Sequence, residues 1–143
     1  MIACALLSAI PAVHAQVSVT DPWVRATVSQ QKATGAFMKL TAAADTTLVE
    51  VHSPLAGVAE IHTMTMTDGR MQMRPVAQLP LPAGQTVELK PGGLHVMFFD
   101  LKAQVKEGDM APISLVFERA DGTRETLEVS APIRPLGMKR PGH

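Results

Sequence analysis

Apolar residues along this chain alternate with polar ones in short runs, and turn residues interrupt the runs at close intervals. A period of two is the mark of a strand with one buried face. Such runs predict strands over 23–28, 34–42, 46–52, 58–67, 70–76, 85–89, 94–101, 113–119 and 125–130. Ser53-Pro54, Pro82-Ala83-Gly84, Pro91-Gly92-Gly93, Glu107-Gly108-Asp109 and Ala120-Asp121-Gly122 mark turns between them, since these residues either favour positive φ or cannot continue a ladder. The pattern contains no helix of more than two turns, no internal repeat and no linker. Many short strands with regular turn signals predict an all-β, antiparallel sandwich or barrel.

One pair of runs is more explicit than the rest. Asp68-Gly69 lies between two alternating segments, which is a strong hairpin signal. With these two residues as the loop, Thr67 pairs with Arg70, Met66 with Met71 and Met64 with Met73, and His62 lies diagonally beside Met73. Alternation then puts His62, Met64, Met66, Met71 and Met73 on one face. Thr63, Thr65, Arg70, Gln72 and Arg74 form the other, a solvent face. A slip of one residue would exchange the faces.

A second strand, 94–101, follows Pro91-Gly92-Gly93. It carries His95, Met97 and Phe99 on one face and Leu94, Val96 and Phe98 on the other. Both faces are mostly apolar, as in an interior strand. One intervening residue, Val96, lets His95 and Met97 reach a single point from one strand. The hairpin could bring His62 and Met73 to that point from across the fold.

Thioethers are soft and neutral, and imidazole is borderline. A His/Met set with no carboxylate or thiolate selects Cu(I) over zinc, magnesium, calcium or iron. A blue-copper electron-transfer centre would need a Cys thiolate. The chain has one cysteine, Cys4, in a segment expected to be removed. The residues therefore point to a site that holds copper and releases it. The competing reading is that inward methionines fill a core and that a histidine on an apolar face is simply hydrogen-bonded there. Two histidines, each paired with methionines by strand geometry, favour ligation. Met64, Met66 and Met71 are left as apolar rim, spare ligands or a docking surface.

The spacing of these residues also carries a family resemblance. His62, ten residues, Met73, twenty-one residues, then His95-Val96-Met97 resembles the H-x10-M-x21-H-x-M signature of the PCuAC periplasmic copper chaperones. The similarity takes in Glu60-Ile61-His62-Thr63-Met64, Met73-Arg74-Pro75-Val76 and Leu89-Lys90-Pro91-Gly92-Gly93. It also reaches Trp23-Val24-Arg25 and Ala36-Phe37-Met38. It covers about Val17 to Pro132. The resemblance implies a cupredoxin-like β-sandwich that binds Cu(I) through His62, Met73, His95 and Met97. It further implies copper delivery toward cytochrome oxidase assembly, notably the CuA centre.

Composition narrows the remaining classes. The chain has 143 residues, 46% of them hydrophobic and 18% charged, enough for one domain with a core. Thirteen basic residues balance thirteen acidic ones, and aromatics make up 3% with no tyrosine. That leaves no basic patch for nucleic acid and few stacking platforms. No G-x-S-x-G, H-E-x-x-H or phosphate-cradling motif is present, so an enzyme is not expected.

Residues 1–15 are apolar and end in Val13-His14-Ala15. They read as a secretion signal cleaved after Ala15, although no Lys or Arg precedes the apolar run. They are too short to cross a bilayer, and a lipid anchor on Cys4 is not expected. The expected organisation is signal 1–15, domain 16–132 and a mobile tail 133–143 that carries Met138 and His143. Trp23 is read as a core anchor, Arg25 and Arg119 as solvent-facing, and His52 as a surface residue.

The sequence reading is therefore a monomeric periplasmic Cu(I) metallochaperone, with no membrane insertion, whose partner is a copper-acceptor protein. A copper-resistance or storage protein, and a non-metal β-sandwich that binds a partner, are the alternatives.

Overall fold

The computed structural model describes residues 17–135. The expected signal segment, 1–15, and most of the expected tail, 136–143, lie outside the described residues. Ten strands follow in order: β1 (Val17–Arg25), β2 (Ala33–Ala42), β3 (Thr46–His52), β4 (Ala56–Thr67), β5 (Arg70–Val76), β6 (Leu79–Leu81), β7 (Thr86–Leu89), β8 (His95–Leu101), β9 (Met110–Arg119) and β10 (Arg124–Arg134). The architecture is the expected all-β sandwich. One layer runs β5-β4-β8-β2-β1, with β7 also on β2; the other runs β10-β9-β3-β6.

Among the described residues every pairing is antiparallel except one. β1 and β10 meet in parallel, Val24 beside Ile133 and Arg25 beside Arg134. This pairing joins the two layers along one side and carries β10 two residues past the expected domain boundary at Pro132. β6 has no counterpart in the sequence reading. It is three residues long, and Pro80 at its centre is tolerated because it lies on a sheet edge.

The core lies between the layers. Ala36, Met38 and Leu40 of β2, and Val96 and Phe98 of β8, meet Leu48 of β3 and Ile113, Leu115 and Phe117 of β9. The alternation read from the sequence is obeyed at β8: Val96 and Phe98 are fully buried in this core, whereas His95, Met97 and Phe99 point to the opposite face.

Trp23 is not the core anchor expected. Val17 and Val19 face the core, so strict alternation would place residue 23 inside as well. The β1–β2 register shifts between Thr20 and Trp23, with Asp21 at φ 51°. This bulge inserts one residue and reverses the parity that follows. Val24 therefore enters the core, and Trp23 turns to the outer face against Phe37, ring centroids 4.5 Å apart. The two arginines are also less free than expected. Arg25 lies over the Phe37 ring at 5.4 Å, and Arg119 pairs with Glu125 at 2.8 Å.

Candidate metal centre

The hairpin forms in the predicted register: Thr67 opposite Arg70, Met66 opposite Met71, Met64 opposite Met73. Asp68 and Gly69 both have positive φ, 51° and 77°, as a two-residue turn of the strand-twist-compatible hand requires. On its other side β4 pairs with β8 from Ala56–Leu101 up to His62–His95, where the ladder ends. Beyond that rung, residues 63–67 and 70–74 pair only with each other.

This topology brings the four predicted residues to one place on the outer face of the first layer. His62 and His95 are directly opposed, with ring centroids 6.0 Å apart. Met73, His95 and Met97 line one open cavity of about 310 Å³, together with Met64, Gly35 and Phe37. His62 is not part of that wall; it stands beside His95 and packs on Phe99 at 5.6 Å. The histidines are buried, at 8% and 6% exposure, whereas Met73 is 48% exposed. The site thus has an imidazole floor and a thioether lip.

Both imidazoles have defined tautomers. His95 Nδ1 lies 2.8 Å from the Gly93 carbonyl oxygen. A carbonyl only accepts, so Nδ1 carries the proton and donates, and Nε2 keeps its lone pair. The Pro91-Gly92-Gly93 turn, with Gly92 at φ 85°, sets that carbonyl in place. His62 Nε2 lies 3.3 Å from Glu60 Oε2. The ionised carboxylate accepts, which leaves Nδ1 as the bare nitrogen. His62 Nδ1 is buried and has no hydrogen-bond partner among the described residues. An orphaned lone pair of this kind costs about 1–3 kcal/mol and suits a soft cation.

Glu60 adds a carboxylate beside a His/Met set that the sequence pattern presents as free of them. It alternates with His62 on β4 and is opposed to Met97, so the i, i+2 spacing is its only signal. Phe37 is likewise unmarked by the pattern as part of the site. It is 3% exposed yet outside the main core, 6.3 Å from His95. Gly35 pairs with Met97, and a Cβ there would come within 3.0 Å of the Phe37 ring. His52 is exposed at the end of β3, as expected, beside Glu50. Met138 and His143 lie outside the described residues.

The architecture defines a β-sandwich with a His/Met pocket on its outer face. Residues 17–133 match the family model described as "Putative lipoprotein LpqE-like", and the chain belongs to this LpqE-like family, of PCuAC type. A Leifsonia xyli relative named "Putative lipoprotein Lxx21020" is 30% identical over 119 residues, 82% of this chain and 69% of that protein. The CuI-DR1885 solution structure from Deinococcus radiodurans is 32% identical, with TM-score 0.62, covering 82% of this chain and 76% of that one. The copper-bound PCuAC domain from PmoF2 has TM-score 0.68 over 85% of this chain and 94% of that one. At 23% identity the second likeness is one of fold. No helix among the described residues is long and apolar enough to cross a membrane.

Proposed function

We propose that this chain binds Cu(I) through His62, Met73, His95 and Met97 and passes it to an acceptor protein by ligand exchange, without catalysing a reaction of its own. The observation that carries this reading is the pair of opposed imidazoles, each with one nitrogen held as a donor and the other left bare, beside thioethers that line an open cavity. Soft donors with no thiolate favour the cuprous ion. The Cu(I)-loaded relative at 32% identity supports the same cargo.

The exposed lip supports exchange over storage. An acceptor ligand can approach Met73 from solvent, bind the ion as that thioether leaves, and draw it off the buried histidines. The charge on copper does not change. The relatives named as lipoproteins support an extracytoplasmic location, and we assign this chain to the periplasm. A CuA-type oxidase centre is the proposed acceptor, on the family resemblance.

An anaerobic titration against a chromogenic Cu(I) chelator tests the binding. The parent should take one tight equivalent, and His95→Ala and Met97→Ala should each weaken it by about tenfold or more. A parent that does not compete would reduce the His/Met cluster to packing. Loaded protein mixed with an apo CuA domain tests delivery: no transfer would remove the oxidase as acceptor and leave the binding intact.

A further inference from the structure

The arm formed by residues 63–67 and 70–74 carries more soft donors than the inner site uses. Past the His62–His95 rung it pairs with no further strand on the β8 side among the described residues, and β5 is the edge of the sheet. A free two-stranded ribbon is of marginal stability in water. Here its one face nevertheless bears four methionines in two rungs, Met64 opposite Met73 and Met66 opposite Met71. The inner rung lines the cavity. The outer rung is open to solvent, with Met66 at 66% and Met71 at 51% exposure.

Core filling does not account for the outer rung, because none of the described residues covers it. Exposed apolar side chains at a hairpin tip also work against solubility. What the two residues share is sulfur. Directly opposed residues of an antiparallel pair have Cβ atoms about 5 Å apart, close enough for two flexible thioethers to hold one ion. Successive rungs lie about 7 Å apart along the strands, so the sulfurs form a graded row from solvent to His95. No carboxylate shares this face of the arm, whose opposite face carries Thr63, Thr65, Arg70, Gln72 and Arg74.

We infer that Met66 and Met71 form a second, weaker Cu(I) site, a capture and release station from which the ion passes by the Met64/Met73 rung to the histidines. This rests on the reading of the inner site as a Cu(I) site. Each step exchanges one copper–ligand bond for another, sulfur for sulfur along the arm and sulfur for nitrogen at the histidines, and no electron moves.

The test uses the full chain with methionine methyl groups labelled for NMR, titrated anaerobically with Cu(I), and Met66→Leu/Met71→Leu as the variant. Leucine keeps the volume and apolar character and removes the sulfur. In the parent, Met97 should respond to the first equivalent, and Met66 and Met71 to the second. The double variant should take up no second equivalent in chelator competition and keep first-equivalent affinity. Its stopped-flow uptake of copper from a chelator complex should slow by about tenfold. Unmoved Met66 and Met71 signals under excess Cu(I), or an unchanged uptake rate in the variant, would overturn the station. Failure of the inner site shows separately, as a Met97 signal that does not respond in the parent.

Discussion

His62 on β4 and His95 on β8 are directly opposed across the last rung that joins those strands, 6.0 Å between ring centroids. Beyond them the sheet ends and the methionine arm begins. Both rings at this boundary are buried, and His62 Nδ1 has no hydrogen-bond partner among the described residues. A cation bound there would recover the cost of leaving that nitrogen unsatisfied and so couple loading to local stability. The arrangement leads to four expectations.

Glu60 should matter through its carboxylate oxygen rather than its charge. It accepts from His62 Nε2 and so keeps Nδ1 available. Glu60→Ala should weaken Cu(I) binding by about tenfold or more, as loss of an orienting partner does elsewhere. Glu60→Gln retains an acceptor oxygen and should bind nearly as the parent does. Chelator competition on the two variants decides it, and an Ala variant that matches the parent would remove Glu60 from the site.

Acid should weaken the complex. Copper needs imidazole lone pairs, and protons compete with it for them. Affinity should therefore fall as the medium is acidified, because a ring that takes up a second proton has no lone pair left to bind the ion. The decline should be shallower in His62→Ala, which has one competing nitrogen fewer. A flat profile in the parent would exclude both histidines as ligands.

Phe37 should be a structural residue of the outer face. It is stacked by Trp23, overlain by Arg25 and set near His95. Phe37→Ala should cost about 3 kcal/mol, the lower end for a buried phenylalanine, and loosen His95 as well. Denaturant unfolding reads the first effect and Cu(I) competition the second. A loss below about 1 kcal/mol would mean that this second aromatic layer collapses to fill the gap.

Gly69 tests the arm itself. Its φ is 77° and a Cβ there would touch nothing within 4 Å, so an alanine meets only backbone strain. Gly69→Ala should cost about 1 kcal/mol. The cost should appear as faster amide exchange confined to residues 63–74, because the arm can open without the core. Equal acceleration in β8 would show that the arm and the sandwich unfold together.

Much of this protein was legible from period and turn chemistry. The Asp68-Gly69 turn set the hairpin register, and that register put His62, Met64 and Met73 on one face. The x-H-x-M-x-F alternation of 94–99 separated a site face from a core face before any fold was known. These features are local: a turn type and a pleat decide them, and neighbouring residues supply all the information.

The outward face of Trp23, the role of Glu60 and the closure of β1 on β10 were not legible, for reasons that are not local. Trp23 changes face because a bulge at Asp21 reverses parity, and the bulge is defined only by the register with β2. The tautomers of His62 and His95 depend on where Glu60 and Gly93 come to rest. The parallel closure of β1 on β10 joins residues more than a hundred positions apart. Which side chains share a strand face, and which ion such donors suit, can thus be read along the chain, since both follow from pleat and donor chemistry. That the two strands meet rung to rung emerges only in the fold, because strand pairing is a long-range choice made by burying the opposite faces in one core.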